Sequence, residues 1–547
     1  MESENKLKRL IIHPDLIPAE NRIKRPIHQR RILIDGELED WNGPVHQVFS
    51  PIYLRNTDNS SAEESQMLIG SYPLATSKEA ELALNAAVKA YNGGRGPWPS
   101  MPVQKRIRCL DVFTRKMVQR KDEIVNLIMW EIGKSSADAE KEFDRTIEYI
   151  QDTVRAAKKL NNSTSAFQVQ QNFIGQTKKL PYGVVLCMGP FNYPLNETFT
   201  TLIPALIMGN TILFKPPKHG TLLFEPLLEA FWEAFPKGVV NTVYGRGRDT
   251  VPFLMQSGKV DVLALIGSSK VADSLKKMHP KSNRLKSVLG LDAKNAAIVM
   301  DDAELDLTVK ECISGALAFN GQRCTALKIL FVHTDIVDRF NKRLVEEVDK
   351  LAIGMPWTAG VAITPLAEPE KPKYLQECLE DAARHGATIL NAASGGGTVY
   401  KSLMKPAIVY PVNEAMKLYR EEQFGPIIPI VPFDDVQIPV DYITESSFGQ
   451  QVSIFSRDSE EIGLLIDLLA GQVGRININS QCQRSPDTFS FNGRKDSAEG
   501  TLSVEEALHA FSVDSVVSTK QTAFNQSIID DILVNHKSNR LSHTVAL

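Results

Sequence analysis

The sequence predicts an α/β fold in which parallel strands alternate with helices that cover both faces of the sheet. Short apolar runs bounded by glycine and proline recur in the middle of the chain, and segments with helical spacing separate them. Strands that alternate with helices of about 10–15 residues are typical of parallel sheets. Because ligands bind beyond the carboxyl ends of such strands, the residues that follow each run are expected to form the site.

The first third of the chain is expected to be mainly helical. Ala, Glu and Lys are frequent there, and apolar residues recur at helical spacing. The predicted helices span residues 77–91, 101–118, 123–131 and 136–160.

The strands are predicted further along the chain. Runs such as YGVVLC and NTILF are short, apolar and flanked by turn residues, as in buried strands. The first group of runs spans 182–187, 210–214, 239–243 and 260–266, with helices predicted at 198–208 and 222–234. A second alternating region has predicted strands at 296–300, 328–333 and 427–432.

Length and composition narrow the function classes. A chain of 547 residues, with 43% apolar and 23% charged residues, is expected to form about two or three globular domains. The formal net charge of −3 gives no field that would favour nucleic acid or an anionic membrane surface. No apolar run approaches the ~20 residues of a spanning helix. We therefore expect neither a nucleic-acid nor a membrane partner.

The six cysteines are scattered and show no C-x-x-C spacing. This argues against a zinc site and a disulfide framework, so no metal is expected, and it favours a reducing compartment. Basic residues cluster in the first 31 positions, but acidic residues are mixed among them and no apolar signal core follows. Residues 1–30 are therefore expected to form an extended arm that packs on the body of a cytoplasmic protein.

Four short motifs lie directly after predicted strands or in loops. They are GPFNYP at 189–194, FKPPK at 214–218, FNGQRCT at 319–325 and EEQFGP at 421–426. In this order and with this spacing they resemble the aldehyde dehydrogenase superfamily, over residues 35–500. The resemblance implies an α/β aldehyde dehydrogenase fold with a Rossmann-like cofactor domain, an α/β catalytic domain and a small oligomerisation hairpin.

The same resemblance implies domain boundaries. After an arm of residues 1–30, the cofactor-binding domain would take residues 31–160 and 182–292, and the catalytic domain residues 293–493. The oligomerisation hairpin and C-terminal arm would take residues 161–181 and 494–547, with the hairpin itself at 168–180. Because the family builds dimers and tetramers through these parts, self-association is expected.

Cys324 matches the family's nucleophile. Its thiolate would add to an aldehyde to give a thiohemiacetal, and after hydride loss to a nicotinamide cofactor the sulfur would hold a thioester. Outside the FNGQRCT context, a lone cysteine is more often a small buried apolar residue. Asn192 matches the asparagine that stabilises the oxyanion together with the backbone N–H of Cys324. The alternative is a turn-forming asparagine.

Several positions match cofactor contacts of the family. Lys215 would contact the adenosine ribose, Glu422 would contact the nicotinamide ribose, and Phe424 would pack near the nicotinamide. The turns that would approach the adenine and pyrophosphate contain Gly245, Gly247, Gly267 and Ser268. The sequence has no strict G-x-G-x-x-G fingerprint, which disfavours a standard Rossmann dehydrogenase.

Lys218 indicates which nicotinamide cofactor is used. Relatives that prefer NAD usually have a glutamate at this position, which binds the 2′-hydroxyl and repels a 2′-phosphate. A lysine removes that repulsion and offers a cation to the phosphate. The alternative is a solvated lysine at a helix start. We therefore expect NADP, with NAD as the alternative cofactor.

Two arginines indicate an anionic substrate. Arg323 directly precedes the nucleophile, and Arg484 lies in NSQCQRSPD, which resembles the substrate loop of the non-phosphorylating glyceraldehyde-3-phosphate dehydrogenases. That resemblance implies phosphate binding by both arginines, by Tyr193 and, on an earlier helix, by Arg145. The alternative for Arg323 and Arg484 is a salt bridge between domains. The expected reaction is the NADP-dependent oxidation of a small phosphorylated aldehyde, glyceraldehyde 3-phosphate, to 3-phosphoglycerate.

The sequence departs from the family at the general base. Hydrolytic members have a glutamate four residues before a lysine, where this chain has Gly290 before Lys294. Asp292 is the expected substitute base if the loop is re-routed, and the alternative is a loop aspartate bound to backbone amides. The A-K-N triplet is similar to that of coenzyme-A-acylating semialdehyde dehydrogenases, which release the acyl group to a thiol. The remaining alternative is a binding paralogue with poor turnover.

Overall fold

The computed structural model describes residues 2–55 and 63–541, so residues 542–547 of the expected C-terminal arm lie outside it. The described helices are α1 (Glu2–Arg9), α2 (Ser77–Tyr91), α3 (Val103–Gln119), α4 (Lys121–Ile132), α5 (Ser136–Ser163), α6 (Asn196–Ile207), α7 (Glu225–Ala234), α8 (Gly247–Gln256), α9 (Ser269–Met278), α10 (Leu305–Leu317), α11 (Thr334–Val348), α12 (Lys371–Arg384), α13 (Lys417–Arg420), α14 (Gln437–Glu445), α15 (Ser459–Leu469), α16 (Val504–Ala510) and α17 (Ala523–Val534). The described strands are β1 (Ile27–His28), β2 (Arg31–Ile34), β3 (Glu37–Asp40), β4 (Val45–Arg55), β5 (Glu64–Pro73), β6 (Gln168–Gln170), β7 (Phe173–Pro181), β8 (Val184–Met188), β9 (Thr211–Lys215), β10 (Val240–Thr242), β11 (Val262–Ile266), β12 (Lys286–Gly290), β13 (Asn295–Val299), β14 (Leu327–His333), β15 (Thr388–Ile389), β16 (Val399–Tyr400), β17 (Leu403–Met404), β18 (Ala407–Tyr410), β19 (Ile427–Phe433), β20 (Phe448–Gly449), β21 (Gln451–Phe455), β22 (Arg475–Ile478), β23 (Arg494–Lys495), β24 (Ala498–Glu499) and β25 (Ser512–Lys520).

The helices predicted in the first third of the chain are confirmed as α2 to α5. Helix α2 begins where Thr76 and Glu79 form a reciprocal capping box, and it ends at Asn92, whose φ of 48° is left-handed. Within residues 2–55 and 63–541, none of the helices is long and apolar enough to cross a membrane.

A six-stranded sheet in the order β10-β9-β8-β11-β12-β24 contains the first group of predicted strands. Its strands pair in parallel, except that β24 is antiparallel to β12. The side chains of β9 and β11 are buried on both faces, as their continuous apolar runs predict. The segments that follow β8, β9, β11 and β12 therefore emerge along the same edge of the sheet.

A seven-stranded sheet in the order β15-β18-β19-β14-β13-β21-β22 contains the second group. Strand β15 is antiparallel to β18, and the other pairings are parallel. Ile298 and Phe331 pack into the core on one face, and Val299 and Leu330 pack into the core on the other. The predicted α/β class is therefore confirmed, with two largely parallel sheets.

The predicted hairpin is confirmed as β6 and β7, which pair antiparallel. Strand β25 adds to β7 along its whole length and gives a three-stranded sheet. Val169 and Val516 on this sheet expose 56% and 63% of their surface, and Phe524 on the following helix exposes 74%. This part of the molecule therefore presents apolar side chains to solvent.

The N-terminal arm packs on the body, as expected, but it is not extended throughout. Residues 2–9 form α1, because an i,i+4 ion pair on its exposed side and the buried Leu7 on its inner side favour a helix. Arg55 of β4 donates from Nη2 to the carbonyl of Lys8 at 2.9 Å and ties the arm to the sheet.

Candidate active site

One cavity of about 660 Å³ is lined by segments that directly follow β8, β11 and β12 of the six-stranded sheet. The rest of its lining includes the segments just before β14 and β19 of the seven-stranded sheet. The predicted site residues that line this cavity are Asn192, Gly267, Ser268, Asp292, Cys324, Glu422 and Phe424. The other predicted site residues lie outside that lining, namely Arg145, Tyr193, Lys215, Lys218, Gly245, Gly247, Arg323 and Arg484.

Cys324 follows an unusual turn that leads into β14. Residues 319–321 are left-handed, with φ values of 50°, 57° and 71°. The carbonyl of Cys324 accepts hydrogen bonds from Asn295 Nδ2 at 2.9 Å and from Lys328 Nζ at 2.8 Å, so two strands fix its backbone. Burial, followed by the charge of Glu197, raises the pKa of the Cys324 thiol to about 11. In this state the thiol is protonated at neutral pH.

Asn192 lies between the end of β8 and the start of α6. Its side-chain Nδ2 donates to the carbonyl of Gln322 at 2.9 Å, two residues before Cys324. An amide nitrogen carries two hydrogens, so one N–H is left for a second acceptor in the cavity. The asparagine is therefore linked directly to the turn that carries the predicted nucleophile.

Sequence reasoning missed the ion pair that supports Asn192. Lys134 is fully buried, pairs with the buried Glu142, and donates from Nζ to the carbonyl of Asn192 at 2.7 Å. Glu142 also accepts backbone N–H groups at the start of α6, from residues 195 and 196. The Lys134 ammonium lies 3.6 Å from the centroid of the Tyr193 ring, so Tyr193 contacts this lysine.

The position where the family has its general-base glutamate lies in the cavity wall and is occupied here by a glycine. Gly290 ends β12 and lines the cavity, where a Cβ would lie 3.1 Å from Leu502 Cδ1. Asp292 Oδ2 accepts from the backbone N–H and from the hydroxyl of Ser269, both at 2.8 Å. Asp292 therefore binds the N-terminus of α9, where a carboxylate is favourable.

The residues predicted to bind the adenosine half of the cofactor lie around the end of β9 and the start of α8. Lys215 is buried, donates from Nζ to the carbonyl of Pro216 at 3.0 Å, and has its pKa lowered to about 8 by burial. Gly247, the first residue of α8, is adjacent: a Cβ there would lie 3.9 Å from Lys215 Cε. At Gly245 the φ of +98° and the close carbonyl of Ala75 require a residue without a side chain.

Cationic side chains cluster beside this region. Burial first, and then the charges of Lys218 and Arg246, lower the pKa of His46. Burial, followed by Lys218 and His46, lowers the pKa of His219 to about 4. Lys218 itself is exposed. The positive potential at this surface would favour an anionic group.

Glu422 and Phe424 form the wall before β19. Glu422 Oε1 pairs with Lys328 Nζ at 2.6 Å, and burial raises the pKa of this carboxyl. Phe424 is left-handed, with a φ of 48°, and its ring meets that of Phe191 edge to face at 5.8 Å. Lys328 therefore joins the Cys324 carbonyl to the predicted ribose-binding glutamate.

Two of the arginines that were expected to bind phosphate form ion pairs with carboxylates instead. Arg484 is buried, forms an ion pair with Glu197 through Nη1, and lies 3.2 Å from Asp487 through Nε. Arg145 donates to both carboxylate oxygens of Asp487, at 2.9 and 2.8 Å. The alternative of a salt bridge, weighed for Arg484 from the sequence, is therefore realised. Sequence reasoning missed Glu197, although a carboxylate in the apolar run of α6 was a visible signal.

Arg323 differs from Arg484 in its partners. Its Nη2 donates to the carbonyl of Gly315 at 2.9 Å and to Gln481 Oε1 at 3.4 Å, and it packs beside the 479–487 loop. Among residues 2–55 and 63–541, no carboxylate lies within ion-pair distance of its guanidinium. The charge of Arg323 is therefore not neutralised by a neighbouring carboxylate.

Comparison with known proteins agrees with this arrangement. The sequence profile of the aldehyde dehydrogenase family matches residues 57–517. An NADP-dependent glyceraldehyde-3-phosphate dehydrogenase of Streptococcus equinus is 30% identical over 465 residues, which cover 84% of this chain and 93% of that protein. A malonate-semialdehyde dehydrogenase of Bacillus cereus is 30% identical over 440 residues, covering 80% and 88%.

A solved structure agrees as well. The NADP-dependent glyceraldehyde-3-phosphate dehydrogenase of Bacillus halodurans, complexed with NADP, is 29% identical and superposes with a TM-score of 0.81, covering 90% of this chain and all of that one. The four motifs, the cavity that three of them line and these matches lead to one conclusion. The chain belongs to the aldehyde dehydrogenase family.

Proposed function

We propose that this protein oxidises a small phosphorylated aldehyde, glyceraldehyde 3-phosphate, to 3-phosphoglycerate with NADP. The observation that carries the proposal is the meeting of Cys324, Asn192, Glu422 and Phe424 in one cavity. Relatives that cover most of the chain, from Streptococcus equinus and Pisum sativum among others, are NADP-dependent glyceraldehyde-3-phosphate dehydrogenases.

Cys324 performs the first step. Its sulfur adds to the aldehyde carbon, and the carbonyl oxygen becomes an oxyanion that the free N–H of Asn192 and the backbone N–H of Cys324 bind. Loss of the aldehyde hydrogen as hydride leaves a thioester on Cys324. A protonated thiol is a weak nucleophile, so the proton of Cys324 must leave before the sulfur attacks.

NADP supplies the hydride acceptor in this scheme, and the residues present fit that cofactor. Lys215 and Glu422 would hold the two riboses, and Phe424 would pack against the nicotinamide. Gly245, Gly247, Gly267 and Ser268 would admit the adenine and pyrophosphate to the N-termini of α8 and α9. The cationic surface formed by Lys218 and Arg246 beside His46 favours the extra phosphate of NADP over NAD.

Arg323 is the proposed primary contact of the substrate phosphate, because no described carboxylate neutralises it. Arg484, Arg145 and Tyr193 would contribute further contacts to the phosphate. For Arg484 to bind phosphate, the anion must compete with Glu197, which holds Nη1. We therefore expect Arg323 to matter more than Arg484 for phosphate affinity.

A second candidate function keeps Cys324 but passes the acyl group to coenzyme A. Gly290 favours it, because the wall of the cavity lacks the family's glutamate at this position. The malonate-semialdehyde dehydrogenase of Bacillus cereus shows that relatives with another acidic aldehyde as substrate exist at the same identity. Both substrates carry an anionic group, to which Arg323 would bind.

We also propose self-association as a dimer or tetramer through the three-stranded sheet of β6, β7 and β25. Its exposed side chains include Val169, Phe173, Val513, Val516 and Val517. Apolar side chains concentrated on one sheet are typical of a protein interface. The cytoplasmic location and the domain boundaries given above stay predictions.

The test is a rapid-mixing measurement of NADPH formation with glyceraldehyde 3-phosphate and NADP, in buffer free of inorganic phosphate and coenzyme A. We expect sustained turnover, with a lower kcat/KM for NAD than for NADP and a lower one for unphosphorylated glyceraldehyde. A burst near one NADPH per site followed by a stall, relieved by coenzyme A, would replace the proposal with the thiol-acceptor reaction. NADP binding without any burst would contradict the choice of aldehyde. If every other aldehyde tested were also inert, the protein would be a paralogue with poor turnover.

A further inference from the structure

Glu197 is a buried carboxylate in the active-site cavity that the steps above do not use. It is the second residue of α6, lines the same cavity as Cys324, and is only 6% exposed. Burying a carboxylate is costly unless a partner compensates its charge. Arg484 supplies that partner, and the carboxylate lines the cavity.

The contacts of Glu197 hold it firmly and leave one oxygen available. Oε2 accepts from Arg484 Nη1, whereas Oε1 has no donor among the described residues. Arg484 is itself fixed, because Nη2 donates to the carbonyl of Leu502 at 2.8 Å and its guanidinium lies 4.6 Å from the Phe491 ring. The arginine thus supplies the counter-charge of a carboxylate whose second oxygen can accept from a water in the cavity.

The other carboxylates that line the cavity have different positions or partners. Glu422 is paired with Lys328, and Asp292 binds the N-terminus of α9. Glu421 is exposed and accepts from the hydroxyl of Tyr374 at 3.0 Å. Glu368 lies next to α12, with 36% of its side chain exposed. Glu422 Oε2 and Asp292 Oδ1 also have no described donor, but both residues are less buried than Glu197. Glu197 is therefore the carboxylate of this set that is held in a buried position, by an arginine, with one oxygen left for a water.

We propose that Glu197 is the general base that hydrolyses the thioester on Cys324, in place of the family glutamate that Gly290 replaces. This inference rests on the proposed thioester chemistry of Cys324. Glu197 takes a proton from water as the water oxygen bonds to the thioester carbon. The tetrahedral intermediate then collapses, the carbon–sulfur bond breaks, and Cys324 leaves as a thiolate that recovers a proton, while the acid is released.

The pKa of the Cys324 thiol agrees with the placement of Glu197 in the same cavity. After burial, the negative charge of Glu197 is the largest influence that raises the pKa of the Cys324 thiol. Glu197 and Cys324 also line one cavity, in which a water bound to the free Glu197 oxygen would meet an acyl group on the sulfur.

The test uses p-nitrophenyl acetate, an activated ester that acylates a reactive thiol without aldehyde or cofactor. Wild type should release a burst of p-nitrophenolate, as Cys324 is acylated, followed by a linear phase set by hydrolysis. In Glu197→Gln, which keeps an oxygen acceptor for Arg484, the burst should persist and the linear rate should fall by about 10²–10⁴-fold. Hydroxylamine should restore turnover, because a strong nucleophile needs no base. Glu368→Gln, the same change at the rim of the cavity, should match wild type.

Other results would overturn the inference. A linear rate in Glu197→Gln within about threefold of wild type would exclude a base role, and so would a stall that appears in Asp292→Asn instead. Equal loss of burst and linear phase in Glu197→Gln, with hydroxylamine ineffective, would assign Glu197 a structural role. Because the ester needs neither glyceraldehyde 3-phosphate nor NADP, a wild-type burst with that aldehyde inert would reject the proposed substrate and leave the role of Glu197 standing.

Discussion

Beside Asn192, a fully buried lysine and glutamate hold the backbone of the residue whose side-chain amide is proposed to bind the oxyanion. At Gly290 the cavity wall has no side chain, and the nearby Asp292 is bound to the start of α9. The Asn192 side therefore keeps both the motif and its support, whereas the Gly290 side has lost the group that the motif normally supplies. In the proposed mechanism, acylation of Cys324 would therefore follow the family pattern, whereas removal of the acyl group would depend on residues from another element.

The largest effect is expected at the support of Asn192. Lys134→Met would leave Glu142 buried without its cation, and breaking a buried pair in this way costs about 3–5 kcal/mol of stability. Urea unfolding would measure this cost. Lys134→Met combined with Glu142→Gln should regain part of it, because the unpaired charge is removed, and a double variant no more stable than the single one would contradict this explanation.

The same pair shows what the sequence could and could not predict. Cys324, Asn192 and Glu422 were predicted from the motifs around them, because each motif is local in the chain and lies next to a strand. Lys134 and Glu142 were not, because their role depends on how the α4–α5 connection and α5 pack against the segment that leads into α6, which no short spacing encodes. Likewise, the pairing of Arg484 with Glu197 joins residues 287 positions apart. The fold could be predicted from apolar runs, whereas the partners of charged residues required the assembled structure.

A smaller effect is expected from the oxyanion-binding amide itself. Asn192→Ala should lower both the burst rate and the linear rate with p-nitrophenyl acetate, by about 10²–10³-fold, because an oxyanion forms in each step. This pattern differs from that of Glu197→Gln, which should spare the burst. Asn196→Ala is the matched control, since Asn196 is also buried in this segment but does not line the cavity. A burst rate that Asn192→Ala leaves unchanged would remove Asn192 from the mechanism.

The smallest effect is expected when a glutamate is introduced at Gly290. Gly290 has an ordinary backbone conformation, and a Cβ there would press on Leu502 Cδ1, the end of a flexible side chain, at 3.1 Å. Gly290→Glu should therefore fold and place a carboxylate in the cavity wall. In the Glu197→Gln background we expect the linear rate to recover by about tenfold, less than an evolved base supplies because the position is not optimised. Gly290→Gln has the same size but cannot take the proton, so it should give no recovery. Equal rates for the two variants would mean that removal of the acyl group is not limited by a base, and that the two sides of the cavity differ in sequence without differing in chemistry.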